Sequence, residues 1–192
     1  MAMDTVSRST RSRMMAGIRG TDTKPERMIR NALFSAGFRY RKNCGDLPGK
    51  PDIKLTKYRA VIFVHGCFWH GHDCRFFRMP GSNAEFWANK IGHNRERDAR
   101  DIIALIAAGW RVCVVWECVT RSATFLERRP AIIELLTQWI AGGEPFLELY
   151  DSKAMNKKTD MDGQAMSEVG MNIDAGLFVA ERSVSYHARK SD

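Results

Sequence analysis

The spacing of apolar residues changes period several times along this chain, and each change marks an element. Ser9 to Arg19 reads as a short basic helix with Arg11, Met15, Ile18 and Arg19 near one face. Thr23-Lys-Pro-Glu26 is a capping box with proline in the first turn, and Met28, Ile29, Leu33 and Phe34 follow at helical spacing up to Gly37. Phe38 to Arg41 alternates like a strand, and the turn-rich run Cys44 to Pro51 is a loop. Asp52 to Leu55 predicts a short strand, Thr56 to Arg59 a turn, and Ala60 to His65 an apolar, buried strand. Together these three form a hairpin. Ser82 opens a long helix that ends at Ala108, before Gly109. Trp110 to Trp116 is a second apolar strand, covered on both faces, and Arg129 to Ile140 is a final amphipathic helix stopped by Gly142-Gly143.

The order α-α-β-β-β-α-β-α gives an α/β fold, with a mixed central sheet flanked by helices. From Tyr150 the character changes. Residues 151–168 are polar and read as a linker, and Gly176 to Ala180 could form a strand with nothing local to pair with. The division expected is one domain over 1–150 and a flexible C-terminal extension over 151–192.

Composition narrows the partners. The chain has 192 residues, 44% of them apolar, which is enough for a real core. Its net charge of +8 points to an acidic partner. That charge is concentrated at the front: residues 1–42 hold ten Lys/Arg against three Asp/Glu, whereas residues 151–192 hold six against seven. No run approaches the roughly 18 apolar residues of a membrane span, and none near the N-terminus resembles a signal peptide. Five cysteines is an odd number, which favours a reducing, cytoplasmic compartment and a metal over disulfides.

The chemistry is densest in the loop after the first buried strand, His65-Gly-Cys-Phe-Trp-His-Gly-His-Asp-Cys74. Cys67, His72 and Cys74 are zinc-type ligands, but a closed structural site needs a fourth. Cys118, just beyond the second buried strand, is the best candidate if the two strands run parallel. His65 and His70 are then free for chemistry, and Phe68-Trp69 stands between the two groups. Cys113, inside an apolar strand, reads as core.

Phosphodiester hydrolysis needs a cation at the scissile phosphate, an activated water and support for the leaving oxygen. Pro51-Asp52 starts one strand and Phe63-Val-His65 ends the next. This is the layout of the restriction-endonuclease-like fold with its Pro-Asp then Glu-x-Lys signature, here with Phe63-x-His65 in the second place. His70 suits the general base, because an imidazole titrates close to neutral pH.

Taken together these residues resemble the very short patch repair (Vsr) endonucleases from about Thr10 to Trp139. The matching blocks are Thr10-Arg-Ser-x-x-Met15, Leu47-Pro-Gly-x-Pro-Asp52, Val61-Ile-Phe-x-His-Gly-Cys-Phe-Trp-His70, Glu85-Phe-Trp-x-x-Lys-Ile-Gly92, Asn94-x-Glu-Arg-Asp98, Gly109-Trp-Arg-Val112 and Trp116-Glu-Cys118. The resemblance implies a Mg²⁺-dependent endonuclease that nicks 5′ of the thymine in T:G mismatches left by deamination of 5-methylcytosine. It makes Asp52 the carboxylate on the magnesium, Val64 a ligand through its backbone carbonyl, and His70 the base at the attacking water. Glu26 becomes a further acidic active-site residue, and His65 a support for the phosphate or its water. The family usually has threonine at the position of Val64, and relatives have a further histidine where this chain has Gly71. That leaves Cys67, His72, Cys74 and Cys118 as the structural zinc set.

On the DNA side the resemblance implies that Phe68, Trp69 and Trp87 wedge into the duplex beside the mismatch. Met15 inserts from the opposite groove, Arg11 and its neighbours hold phosphates, and Lys90 and Asn94 reach the substrate from the long helix. The implied partner is double-stranded DNA with a T:G mismatch, with mismatch-repair proteins as further partners. The enzyme is expected to be a cytoplasmic monomer, associated with the nucleoid when acting. Two other readings remain open at this point: a restriction-like nuclease that cuts matched duplex, and a zinc-stabilised DNA-binding module without turnover.

Overall fold

The computed structural model describes residues 10, 13, 20–121, 125–154, 170–173 and 177–180. Helix α1 (Lys24–Ser35) leads to β1 (Arg41–Lys42), β2 (Ile53–Leu55), a 3-10 turn (Thr56–Tyr58) and β3 (Ala60–His65). Helix α2 (Ala84–Ala107) crosses to β4 (Arg111–Trp116), which runs directly into α3 (Glu117–Arg121). Then come α4 (Phe125–Ala141), β5 (Phe146–Asp151), β6 (Gly170–Ile173) and β7 (Leu177–Ala180). The seven strands form one mixed sheet in the order β1-β2-β3-β4-β5-β7-β6.

The centre of the sheet explains the apolar runs. β3 and β4 pair in parallel, with His65 opposite Trp116, and β5 pairs in parallel with β4. Side chains of a strand alternate between faces, so a strand covered on both sides is apolar at consecutive positions through its middle and polar only at its ends. Ala60, Ile62, Cys113 and Val115 enter one core with Ile29 and Leu33 of α1 and Ile132, Leu136 and Ile140 of α4. Val61, Phe63, Val112, Val114 and Trp116 enter the other, with Leu105 of α2 and Cys67, Cys74 and Cys118. Full burial of a side chain such as Ile62 contributes about 1.5–3 kcal/mol.

Two arginines close the crossover helices. Arg59, in the left-handed region at φ 46°, donates to the carbonyls of Ala108 and Gly109 behind α2. Arg111 donates to the carbonyls of Trp139, Ile140 and Gly142 at the end of α4 and to that of Tyr58. Each satisfies helix-end acceptors that would otherwise lack a donor.

The observed elements differ from expectation in a few places. The strand read at Phe38 to Arg41 shrinks to Arg41–Lys42, and the next strand starts at Ile53, one residue past Asp52. The sequence reading places no strand after the Gly142-Gly143 stop, yet Phe146–Asp151 forms β5 beside β4. Gly176 to Ala180 reads as a strand with nothing local to pair with, but residues 177–180 pair antiparallel with both β5 and β6. Its partners come from distant sequence, which local patterning does not reveal. The basic helix with Arg11 and Met15 lies outside the described residues.

Candidate active site

The loop after β3 is gripped by α2. A helix presents residues three and four apart on one face, and Ile91, Asn94, Arg95 and Asp98 form such a face. The Asn94 side-chain amide donates to the Trp69 carbonyl at 2.9 Å, and Asp98 hydrogen-bonds to Nδ1 of His70. Between them, Gly71 sits at φ 63° where a Cβ would come within 2.8 Å of Ile91 Cγ2 and 3.3 Å of Arg95 Cδ. Alanine at Gly71 is therefore expected to cost about 1–3 kcal/mol, from backbone strain plus crowding. Denaturant unfolding measures this, and an unchanged midpoint would refute the close approach.

His65 ends β3, and its ring stacks on that of His70 with centroids 3.9 Å apart and planes 5° from parallel. His65, His70 and Asp98 bring their ligand atoms within 4.8 Å of one another. Burial holds the pKa of His65 down to about 3, with the neighbouring charge of His70 adding to the effect, so this ring is neutral at pH 7. Burial also opposes ionisation of Asp98, but the hydrogen bond to His70 and the charges of His70 and Arg97 outweigh it and hold Asp98 below its ordinary value. An aspartate on Nδ1 fixes the tautomer of His70 and leaves Nε2 as the acceptor. The sequence alone assigns Asp98 no role. It lies 28 residues from His70, and the only signal was its helical spacing from Asn94.

Asp52 lies at the start of β2, on the other side of the strand end. Its Oδ2 accepts from the Val64 backbone N–H at 2.7 Å. Burial lifts its pKa to about 6; the Val64 bond opposes this, the charge of Glu26 adds to it, and Arg30 partly offsets it. A partly desolvated carboxylate held this way is short of positive charge, so Asp52 fits a cation ligand. Glu26 is buried and completes the capping box predicted from sequence. Its carboxylate accepts from the backbone N–H groups of Asp22 and Thr23, the Thr23 hydroxyl and the Arg30 guanidinium. The cap and the position beside Asp52 are compatible.

Cys67, His72, Cys74 and Cys118 form a second cluster, all four buried and with ligand atoms within 4.8 Å of one another. The parallel pairing of β3 with β4 makes this possible, because both strands exit at the same end of the sheet. Cys118 lies in the first turn of α3, just beyond the end of β4. Its thiol falls to about 5: the hydrogen bond from Cys67 and the contacts with His72 and the Asp151 N–H outweigh burial. Cys67 is raised by the same bond, and Cys74 by burial. Three thiols and an imidazole in a closed, dry cluster make a donor set that can hold a metal ion. All five cysteines are free thiols.

The aromatics cluster at the outer side of the loop. Phe68 packs edge-on against Trp69 at 5.1 Å and Trp87 at 5.3 Å, and all three are half-buried. Phe86, which sequence reasoning missed, is exposed and joins Trp87 at 5.3 Å. Lys90 Nζ lies over the rings of Trp69, Phe86 and Trp87 at 5.6–5.8 Å. A cation above three rings, one exposed and two half-buried, suits an anionic, aromatic ligand. Asn94 holds the loop, so its contact in this structure is within the protein.

Known proteins are similar to this chain in sequence. A family described as "DNA mismatch endonuclease Vsr" matches residues 3–76. DNA mismatch endonuclease Vsr of Escherichia coli (strain K12) is 45% identical over 139 residues, covering 72% of this chain and 88% of the relative. Type II nicking enzyme V.XorIIP of Xanthomonas oryzae pv. oryzae is 47% identical over 126 residues, 66% of this chain and 93% of the relative. Type II nicking enzyme V.NmeAIP of Neisseria meningitidis serogroup A is 46% identical over 126 residues, with 66% and 90% covered. Identity at this level across most of a relative's length places the chain in the Vsr family of DNA mismatch endonucleases.

Proposed function

We propose that this protein is a strand-nicking DNA mismatch endonuclease that starts very short patch repair by cutting 5′ of the thymine in T:G mismatches left by 5-methylcytosine deamination. The observation that carries this reading is the meeting of two half-sites at one strand end. Asp52 is bonded to Val64 on one side, and the stacked His65–His70 pair with Asp98 lies on the other. The architecture, a mixed sheet with the acidic residue at a strand start, fits the restriction-endonuclease-like class.

Asp52 and the backbone carbonyl of Val64 are the groups that would hold Mg²⁺, with Glu26 as the neighbouring acid. When bound, the ion supplies Lewis-acid polarisation of the phosphate and neutralises developing charge. His70 Nε2 takes the proton of the attacking water, and Asp98 stabilises the imidazolium that results. Two parallel imidazoles in contact do not both charge readily. Burial keeps His65 neutral, which leaves it to support the phosphate or the water beside the His70 base. Cys67, His72, Cys74 and Cys118 would hold Zn²⁺, which is structural and pins the loop that carries His70.

Recognition falls to Phe68, Trp69 and Trp87, which wedge between base pairs, with Lys90 nearby for phosphate; Met15 and Arg11 contribute from the basic N-terminal segment. Opening a base step costs a few kcal/mol, and less at a wobble pair, which favours the mismatch. The enzyme acts in the cytoplasm, at the nucleoid, as a monomer, with mismatch-repair proteins as further partners. Among the described residues no helix is long and apolar enough to cross a membrane. Residues 170–173 and 177–180 add two strands to the edge of the sheet, and the linker read over 151–168 lies, from residue 155 on, outside the described residues.

Nicking of labelled matched and T:G duplexes with Mg²⁺ tests the reading. The wild type is expected to nick only the T:G duplex, Asp52→Ala to lose activity, and Trp69→Ala to lose mismatch preference while keeping its metal. Equal cutting of the matched duplex favours the restriction-like alternative. Cutting by Asp52→Ala excludes the mechanism, and binding without cutting by the wild type favours a DNA-binding module.

A further inference from the structure

Trp116 belongs to neither cluster yet touches both. It ends β4 opposite His65 and is 9% exposed. One face of its indole stacks on His72, with centroids 4.2 Å apart and planes 10° from parallel. His65 meets it edge-on at 5.5 Å and 72°, and His70 at 6.4 Å and 71°. The indole N–H donates to Glu148 Oε1 at 2.6 Å. Glu148 stands on β5, paired with Val114 of β4, so the acceptor comes from a neighbouring strand and not from the loop.

We infer that Trp116 is a positioning residue that sets the plane of the His65–His70 stack against the metal-pinned loop, and that Glu148 fixes the orientation of the indole. The inference rests on the nuclease reading for its effect on rate, but not for the geometry. A flat ring with one anchored N–H has one orientation, whereas an unanchored ring can tilt about its stack. Every tilt moves the surface against which His65 and His70 rest. Donor–acceptor placement in proton transfer tolerates little error, and misplacement of about 1 Å can cost two orders of magnitude in rate. The position therefore bears on turnover and not on duplex affinity.

Glu148→Leu leaves the indole N–H without its acceptor, and Glu148→Gln restores an acceptor oxygen without the charge. Single-turnover nicking of the T:G duplex should fall about tenfold in Glu148→Leu. The protein concentration for half-maximal rate should stay within about twofold, and Glu148→Gln should recover most of the loss. Trp116→Phe, which keeps a ring but no N–H, should fall with Glu148→Leu. Metal content, measured on the same zinc-loaded samples, should stay at the wild-type level. Ring resonances of His65 and His70 in proton–nitrogen spectra should move in Glu148→Leu and return in Glu148→Gln. That readout needs no activity, so it tests the positioning even if the wild type does not nick, an outcome that would reject the nuclease reading alone. Unmoved histidine resonances, a wild-type rate in Glu148→Leu, or loss of metal that accounts for the lost rate would each overturn the inference.

Discussion

Alanine at His70 is expected to slow nicking of a T:G duplex by about a hundredfold to ten-thousandfold, the range for removal of a positioned general base. Affinity for the duplex should change little. The His70 ring is held by Asp98 on one nitrogen and by His65 on its face, so its position belongs to the chemistry and not to the DNA surface. Asp98→Asn should give a loss of similar size, up to about ten-thousandfold, because the ring stays in place while its tautomer is no longer fixed and the imidazolium loses its counter-charge. Single-turnover rates paired with fluorescence-anisotropy binding separate the two effects. A His70→Ala rate within threefold of wild type would transfer the role of base to another group.

The second large effect concerns the Cys/His cluster. Cys118→Ser is expected to lose the bound metal and lower the melting temperature by about 10 °C. Cys67 and Cys118 are about fifty residues apart, and a cross-link closing such a loop contributes about 3–5 kcal/mol. For a chain of this size, each kcal/mol corresponds to roughly 2–4 °C. The two thiols and the imidazole that remain, buried and without their cation, add repulsion and desolvation to that loss. Calorimetry with and without a strong chelator should show the wild type falling toward the variant and the variant unmoved. A chelator-insensitive wild type that still retains its fold and activity would exclude a structural metal.

Much of this was legible in the chain because it was local. Thr23, Pro25 and Glu26 announce the start of α1, and the capping bonds are present. The two apolar runs gave β3 and β4, and their shared direction brought Cys118 to the Cys67–Cys74 loop, a juxtaposition the spacing alone did not require. What stayed hidden depended on distance or on geometry. Asp98 looks like one charge among many on the polar middle of α2. Its importance comes from the way the helix crosses the loop. β5 and β7 are short, and their pairing is fixed by each other across a long gap in sequence. Trp116 reads as the last apolar residue of a strand, and nothing linear distinguishes a core tryptophan from one that stacks on a histidine cluster. Glu148, which holds its N–H, sits on a strand that the pattern missed.

The alternation along β3 has a bearing on how the two half-sites could have been assembled. Val64 packs toward the α1 and α4 side, where its backbone N–H meets Asp52, and the next residue, His65, faces Phe63 and Trp116 on the opposite side. Neighbouring residues thus face opposite sides of one sheet, and on the proposed reading the phosphate to be cut lies across the strand tip and not on either surface. Inserting or deleting one residue in β3 would exchange the two roles at once, turning the histidine toward α1 and the valine toward the loop. Such a frame can drift residue by residue within either half, but its length at this strand is locked.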